Sequence, residues 1–119
     1  MTKRTKFLRH FSSYLAVVCE NWVARFMFHK KINSLEELAE YLLDEFGSDK
    51  LVMLVLEKVL LILDSPFKYA REKLGKDKYG NPMFSIEVTG DFRVLYSVDP
   101  KSCTVFIWEM GSHKRVYGP

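Results

Sequence analysis

The stretch that decides the fold is residues 83–99, which read MFSIEVTGDFRVLYSVD. Apolar and polar residues alternate on both sides of Gly90, a pattern typical of two antiparallel strands joined by a tight turn. The β-prone run 103–109 predicts a third strand. We therefore predict a three-stranded meander with strands at about 83–88, 92–98 and 103–109, and with turns at 89–91 and 99–102.

Two helices are predicted before the meander. Apolar side chains recur at helical spacing from residue 35 to residue 46, and Ser34 with Glu37 forms a capping box, in which each side chain satisfies a backbone donor of the first turn. A second helix starts at Ser48 or Asp49 and continues to residue 63. Because this helix is apolar on most faces, we expect it to pack between the first helix and the sheet.

The remaining segments complete an α+β prediction. Residues 3–20 carry apolar side chains at helical spacing and predict an amphipathic helix. The β-prone residues 23–30 predict a first strand, with a continuation of that helix as the alternative. Residues 67–82 are rich in lysine and glycine and predict a basic loop. We expect a single domain, in which a small antiparallel sheet packs against two helices, with an N-terminal helical extension at 1–22 and a core at 23–117.

Composition excludes several classes of protein. With 119 residues and 48% hydrophobic residues, the chain is one folding unit rather than a disordered segment. The longest apolar run, 51–63, contains charges and is too short to span a bilayer, so we expect no membrane association. Cys19 and Cys103 form no paired motif, so we expect no disulfide and a cytoplasmic location. No metal or cofactor site is predicted.

Arg93 is the first candidate for a functional residue. It lies on the second strand of the meander, mid-sheet among apolar neighbours, where a charge is costly unless it is paired or contacts a ligand. An ion pair with Glu87 or Glu109 would satisfy it, and so would a phosphate held by its bidentate fork. A second candidate group, whose chemistry suits phosphate binding and proton transfer, closes the chain: His113, Lys114, Arg115 and Tyr117.

These motifs resemble the RelE/ParE superfamily of toxins from toxin–antitoxin pairs. The resemblance rests on the hairpin 90–99, the strand 104–108 and the closing segment 111–117. It implies an mRNA interferase, an endoribonuclease that cleaves mRNA on the ribosome with the 2′-hydroxyl as nucleophile. It also implies a cognate antitoxin, and either a homodimer or a toxin–antitoxin hetero-oligomer. The N-terminal helix is an alternative occupant of the antitoxin surface.

The resemblance assigns roles to individual residues. Arg93 matches the arginine that contacts the scissile phosphate, and Lys114 or Arg115 matches a second cation. Tyr117 matches the terminal tyrosine, and His113 lies where some members carry a catalytic histidine. The basic residues of the predicted loop are assigned to RNA binding: Lys68, Arg71, Lys73, Lys76 and Lys78.

The chain departs from RelE on the strand before Arg93. RelE has two lysines there, whereas this chain has Ser85 and Glu87. A YoeB-like branch instead uses a carboxylate from the preceding loop as general base, and Glu72 matches that place. We therefore expect Glu72, or alternatively Glu87, as the base, with the histidine or the tyrosine of the closing cluster as the acid. The alternatives are a ParE-like inhibitor of DNA gyrase and a non-toxic interaction protein of the same fold.

Overall fold

A five-stranded mixed sheet packs against two helices, which confirms the predicted α+β class. The structure, a computed structural model, describes residues 19–112, so the predicted N-terminal helix and the closing basic cluster lie outside the described residues. The elements in chain order are β1 (Val23–Phe26), α1 (Leu35–Phe46), α2 (Asp49–Asp64), β2 (Glu72–Lys76), β3 (Pro82–Glu87), β4 (Phe92–Asp99) and β5 (Thr104–Ser112).

The strands lie in the order β1-β5-β4-β3-β2. The three central strands form the predicted antiparallel meander, whereas β1 pairs in parallel with β5, with Val23 opposite Thr104. The prediction of a loop over 67–82 is wrong in its middle, because residues 72–76 form the edge strand β2. The lysines and glycine of β2 are not typical of strands, which is why the sequence pattern predicted a loop. Charged residues are nevertheless common on edge strands because they discourage pairing with another chain.

The helix ends follow the predicted capping chemistry. The side chain of Ser34 accepts a 3.1 Å hydrogen bond from the backbone N–H of Glu37 at the start of α1. Gly47 ends the helix with φ +62°, a left-handed conformation that glycine adopts without steric cost. Of the two candidate caps of α2, Ser48 is the one used, because its side chain accepts from a backbone N–H of the first turn.

The core lies between the helices and one face of the sheet. Alternate residues of β4, namely Phe92, Val94, Tyr96 and Val98, are buried on this face, as their spacing predicts. The hydroxyl of Tyr96 donates a 2.6 Å hydrogen bond to the carbonyl oxygen of Pro66, just beyond α2. The intervening residues of β4 therefore lie on the opposite face, which neither described helix covers and which we call the open face.

Cys19 and Cys103 form a disulfide, so the prediction of unpaired cysteines is wrong. The reason is the parallel pairing of β1 with β5. It extends to a 2.9 Å hydrogen bond from the backbone N–H of Val23 to the carbonyl oxygen of Cys103, so the residues just before β1 lie beside the turn that precedes β5. The disulfide joins positions with a sequence separation of 84 and covalently closes most of the described chain into a loop.

Candidate phosphate-binding site on the open face

Arg93 lies on the open face near the start of β4, where the alternation of the strand places it. It stands opposite Glu87 of β3 on one side and Gly111 of β5 on the other. Gly111 contributes no side chain next to the guanidinium. The position of Arg93 in the middle of a sheet, predicted from its spacing in the sequence, is confirmed.

Two arginines share one carboxylate at this place. Oε2 of Glu87 lies 3.6 Å from Nη1 of Arg93 and 3.6 Å from Nη1 of Arg71. We call these three residues the Arg71–Glu87–Arg93 cluster. Of the two ion pairs that the sequence allowed for Arg93, the one with Glu87 is present.

The guanidinium of Arg93 retains unused donors. Its side chain is only 15% exposed, yet its Nε and Nη1 atoms are buried without a hydrogen-bond partner among the described residues. An unsatisfied buried donor costs free energy, most of all on a charged group. The forks that bind phosphate or carboxylate bidentately are the Nε/Nη2 and Nη1/Nη2 edges of the guanidinium, so the two atoms belong to different forks. An oxyanion would complete the hydrogen bonding of Arg93 once the side chain turns one of these edges towards it.

A groove of about 570 Å³ opens beside the cluster. Arg71 and Glu87 contribute to its wall, but Arg93 does not, so the groove adjoins the arginine rather than containing it. The rest of the wall comes from α2, from the segment before β2 and from the β3–β4 turn: Lys58, Leu61, Tyr69, Ala70, Ile86, Val88, Thr89 and Gly90.

The two candidate bases lie at different places. Glu87 belongs to the cluster and is engaged by both arginines. The backbone of Glu72 pairs with Ser85 in β2, two strands away from β4, which corresponds to about 10 Å across the sheet. Glu72 as base stays a prediction.

The closing cluster lies outside the described residues, but the chain enters it close to Arg93. The last described residue, Ser112, pairs with Phe92, one position before Arg93. The assignments of His113, Lys114, Arg115 and Tyr117 stay predictions.

The five basic residues predicted to bind RNA lie in the segment from the end of α2 to the β2–β3 turn. Arg71 joins the cluster with Glu87, while Lys73 and Lys76 lie exposed on the edge strand β2. Lys68 lies over the ring of Tyr69, and Lys78 lies in the β2–β3 turn over two aromatic rings. The structure thus does not gather the five residues into one pocket.

A polar network on the same face was not predicted. The indole N–H of Trp108 donates to the hydroxyl of Ser97 at 2.7 Å, and that hydroxyl donates to the carboxylate of Asp77 at 2.6 Å. Burial alone would raise the pKa of Asp77, but hydrogen bonds from Ser97, Asn81 and Tyr79 outweigh burial and hold the pKa below its ordinary value of 3.8. The sequence signal for this network was Ser97, a polar residue at a strand position that faces away from the core.

Within residues 19–112, no group of three or more metal-ligating side chains is close enough to hold a metal ion. In the same part of the chain, no helix is long and apolar enough to cross a membrane.

No protein-family model matches the sequence, and no curated protein sequence is similar to it. The structure is similar to the archaeal RelE–RelB complex from Pyrococcus horikoshii OT3, with a TM-score of 0.54 and 19% identity over 79% of this chain and 97% of the other. The chain has a RelE-like fold. A second similar structure is the toxin–antitoxin complex RelBE2 from Mycobacterium tuberculosis, with a TM-score of 0.40 and 18% identity over 78% of this chain and 92% of the other. The RelE-like fold places Arg93 on its open face.

Proposed function

We propose that this protein is the toxin of a toxin–antitoxin pair and an endoribonuclease that cleaves mRNA presented by the ribosome. The observation that carries the proposal is Arg93 on the open face of a RelE-like fold, a largely buried guanidinium that forms an ion pair with Glu87. Its Nε and Nη1 atoms make no hydrogen bond among the described residues, and a phosphodiester carries acceptor oxygens for such donors. The exposed lysines on the neighbouring edge give the electrostatic attraction that a polyanion requires.

The proposed reaction needs no metal and no covalent intermediate. The 2′-hydroxyl loses its proton to a base and attacks the adjacent phosphorus, while the bond from phosphorus to the 5′-oxygen breaks and an acid protonates the leaving oxygen. Arg93, with Lys114 or Arg115, stabilises the charge that builds on the phosphorane. Glu87 is already held between two arginines, which favours Glu72 as the base. His113 or Tyr117 supplies the proton.

The test combines growth arrest with mapping of cut transcripts. Expression in a bacterial host is expected to stop growth and to produce mRNA with 5′-hydroxyl ends. Purified protein is expected to cut a defined mRNA in the presence of ribosomes, and equal cutting of the free mRNA would show that the ribosome is not required. Arg93→Ala should abolish both effects, and Arg93→Lys should restore little, since an ammonium cannot form the bidentate fork. Lys50→Ala, on the exposed side of α2, is the matched control and should remain toxic.

The non-catalytic alternative is inhibition of DNA gyrase. It is favoured by one feature of the described site, the engagement of Glu87 by two arginines, which leaves that carboxylate poorly placed to accept a proton. A supercoiling assay beside the RNA assay separates the two functions. Loss of supercoiling activity without any cut transcript would establish the alternative, while neither effect would point to a non-toxic interaction protein.

The proposed antitoxin has a candidate surface on α2. An apolar groove of about 710 Å³ runs along this helix, where Met53 is 72% and Leu60 54% exposed. Exposed apolar side chains at seven-residue spacing suit an amphipathic helix of a partner. Met53→Asp with Leu60→Asp should abolish co-purification with the product of the adjacent gene. Val23→Asp, an equally exposed apolar position on β1, should leave it unchanged.

A further inference from the structure

Three aromatic rings form a separate cluster on the open face. The ring centroids of Tyr79 and Phe106 are 5.9 Å apart, and each of these rings lies 6.1 Å from that of Trp108. The planes are tilted by only 35–40° from one another. None of the three belongs to the main hydrophobic core between the sheet and the helices. We call this group the open-face aromatic cluster.

The cluster is exposed and has a lysine beside its rings. Tyr79 is 58% exposed, and Phe106 and Trp108 are only partly buried. The ammonium group of Lys78 lies 5.2 Å from the ring centroid of Tyr79 and 5.8 Å from that of Trp108. A cation over aromatic faces is favourable, and the same faces with a nearby cation are what unpaired nucleobases and their phosphates bind.

The rings are held in place by the polar network described above. Trp108 is fixed through Ser97 to the carboxylate of Asp77. That carboxylate also accepts hydrogen bonds from the backbone N–H groups of Tyr79 and Asn81, at 2.8 and 2.9 Å. One partly buried anion therefore fixes both the indole and the turn that carries Tyr79. Rings held in this way lose little conformational entropy when a ligand stacks on them.

We propose that Tyr79 and Trp108, with Lys78, form a stacking site for an unpaired base of single-stranded RNA, a proposal that rests on the proposed function. Ser97 beneath Trp108 lies four residues beyond Arg93 on the same face of β4, which corresponds to about 13 Å along the strand. A strand of RNA whose phosphate contacts Arg93 thus runs along β4 and places a neighbouring base at the rings.

A groove of about 460 Å³ adjoins the cluster at Tyr79 and Phe106 but is not lined by Trp108 or Lys78, so it offers space for a base on the Tyr79 side of the rings. Asn81 and Ser102 line it with polar groups that can hydrogen-bond to a base edge. Arg25 of β1 stands at its far side, and Asp99 is the acidic residue of its wall.

The test is binding of a fluorescent 2′-O-methyl oligoribonucleotide, which lacks the free 2′-hydroxyl that cleavage requires, to the full chain by anisotropy. Tyr79→Ala should weaken binding about 5- to 150-fold, as removal of a stacked ring does for other single-strand binders. Tyr79→Phe should bind like the wild type. Phe67→Ala is the matched control, because Phe67 is an aromatic of similar exposure, 51%, that contacts Trp22 and Phe84 away from this cluster. Melting curves check that each variant is folded.

Further measurements make the result decisive. In a Trp22→Phe background, bound RNA should change the fluorescence of Trp108, and a double-stranded RNA competitor should fail to displace the single strand. Unchanged affinity of Tyr79→Ala, equal competition by duplex, or equal binding of single-stranded DNA with the same dependence on Tyr79 would overturn the proposal. If Tyr79→Ala loses affinity while Arg93→Ala remains toxic, the stacking site stands and the cleavage mechanism fails. The reverse pattern removes the stacking site alone.

Discussion

Nη1 of Arg93 lies 3.6 Å from Oε2 of Glu87, and the same oxygen lies at an equal distance from Arg71. One carboxylate is thus shared by two cations, and the cluster keeps a net positive charge. Glu87 neutralises part of the field that an incoming phosphate would meet. It stabilises the empty site and competes with the proposed ligand at the same time.

Replacing that carboxylate should separate the two effects. We expect Glu87→Gln to strengthen binding of the 2′-O-methyl oligoribonucleotide about 2- to 5-fold, because it removes a partly exposed negative charge that repels the phosphates. The same variant should unfold at lower urea concentration, because Arg93 loses its ionic partner. Anisotropy titrations and urea denaturation measure the two quantities. Glu40→Gln removes the same charge from exposed α1, and an equal gain of affinity there would show a general charge effect.

Tyr96 should contribute to stability through its hydroxyl. Tyr96→Phe removes the 2.6 Å hydrogen bond to Pro66 and leaves a buried carbonyl unsatisfied, so we expect a loss of about 1–3 kcal/mol in the free energy of unfolding. The exposed Tyr79→Phe should change it by less than about 0.5 kcal/mol. Urea denaturation at pH 7 makes the comparison. Equal losses in both variants would show that the hydroxyl of Tyr96 contributes nothing specific.

The same tyrosine predicts a dependence on alkaline pH. Burial raises the pKa of Tyr96 far above its ordinary value of 10.0, so the folded state keeps a proton that the unfolded state releases. Stability from this group is therefore complete below pH 10 and falls as the pH rises above it. Denaturation midpoints between pH 9 and pH 11 should decline less steeply for Tyr96→Phe than for the wild type. Parallel curves for the two proteins would contradict this.

Asp77 predicts a dependence of stability on acidic pH. The pKa of Asp77 in the folded state lies below 3.8, so in acid the folded protein binds fewer protons at this carboxyl than the unfolded chain does. The contribution of Asp77 to the free energy of unfolding is therefore present above pH 3.8 and is lost as the pH falls through the lowered pKa. We expect Asp77→Asn to lose about 1–2 kcal/mol at pH 7 and to show a flatter acid branch below pH 4. Asp91→Asn, on the exposed β3–β4 turn, is the control. Unfolding curves at pH 3 and pH 7 that shift equally for both variants would argue against this role.

The disulfide predicts a redox-dependent stability. Reduction should lower the free energy of unfolding by about 3–5 kcal/mol, the chain-entropy value for a loop of this length. Cys19→Ser, Cys103→Ser and the double variant should lose the same amount, because each removes the same bond. Urea denaturation with and without reductant gives the difference in the free energy of unfolding. Alkylation followed by mass spectrometry gives the number of free thiols. Alkylation of both cysteines without reductant would show that the bond does not form in solution.

Local chemistry made the helices and the meander predictable. The capping box of α1 and the glycine after it are signals within a few residues, and the alternation along β4 places Arg93 and Tyr96 on opposite faces from spacing alone. The ion pair with Glu87 was one of the alternatives, because adjacent strands bring these positions together.

Long-range pairing produced the misses. The disulfide depends on parallel contact between the first and last strands, which no local pattern in the sequence encodes. The aromatic cluster depends on contact between Tyr79 of the β2–β3 turn and two rings of β5. A register shift opposite Leu95 and Tyr96 lets Met110 return to the core after Phe106 and Trp108 have faced the open side. Strict alternation would instead have placed Glu109 in the core.

The parallel pairing of β1 with β5 also sets an order of events during synthesis. β1 is the first strand to leave the ribosome, and its partner is the last strand of the sheet. The helices and the meander have mostly local partners and can form first. β1 cannot pair, and Phe26 cannot pack into the core, until nearly the whole chain has emerged from the ribosome. The Arg71–Glu87–Arg93 cluster belongs to the meander and its edge strand. The nascent chain can therefore assemble this cluster before its amino-terminal strand joins the sheet.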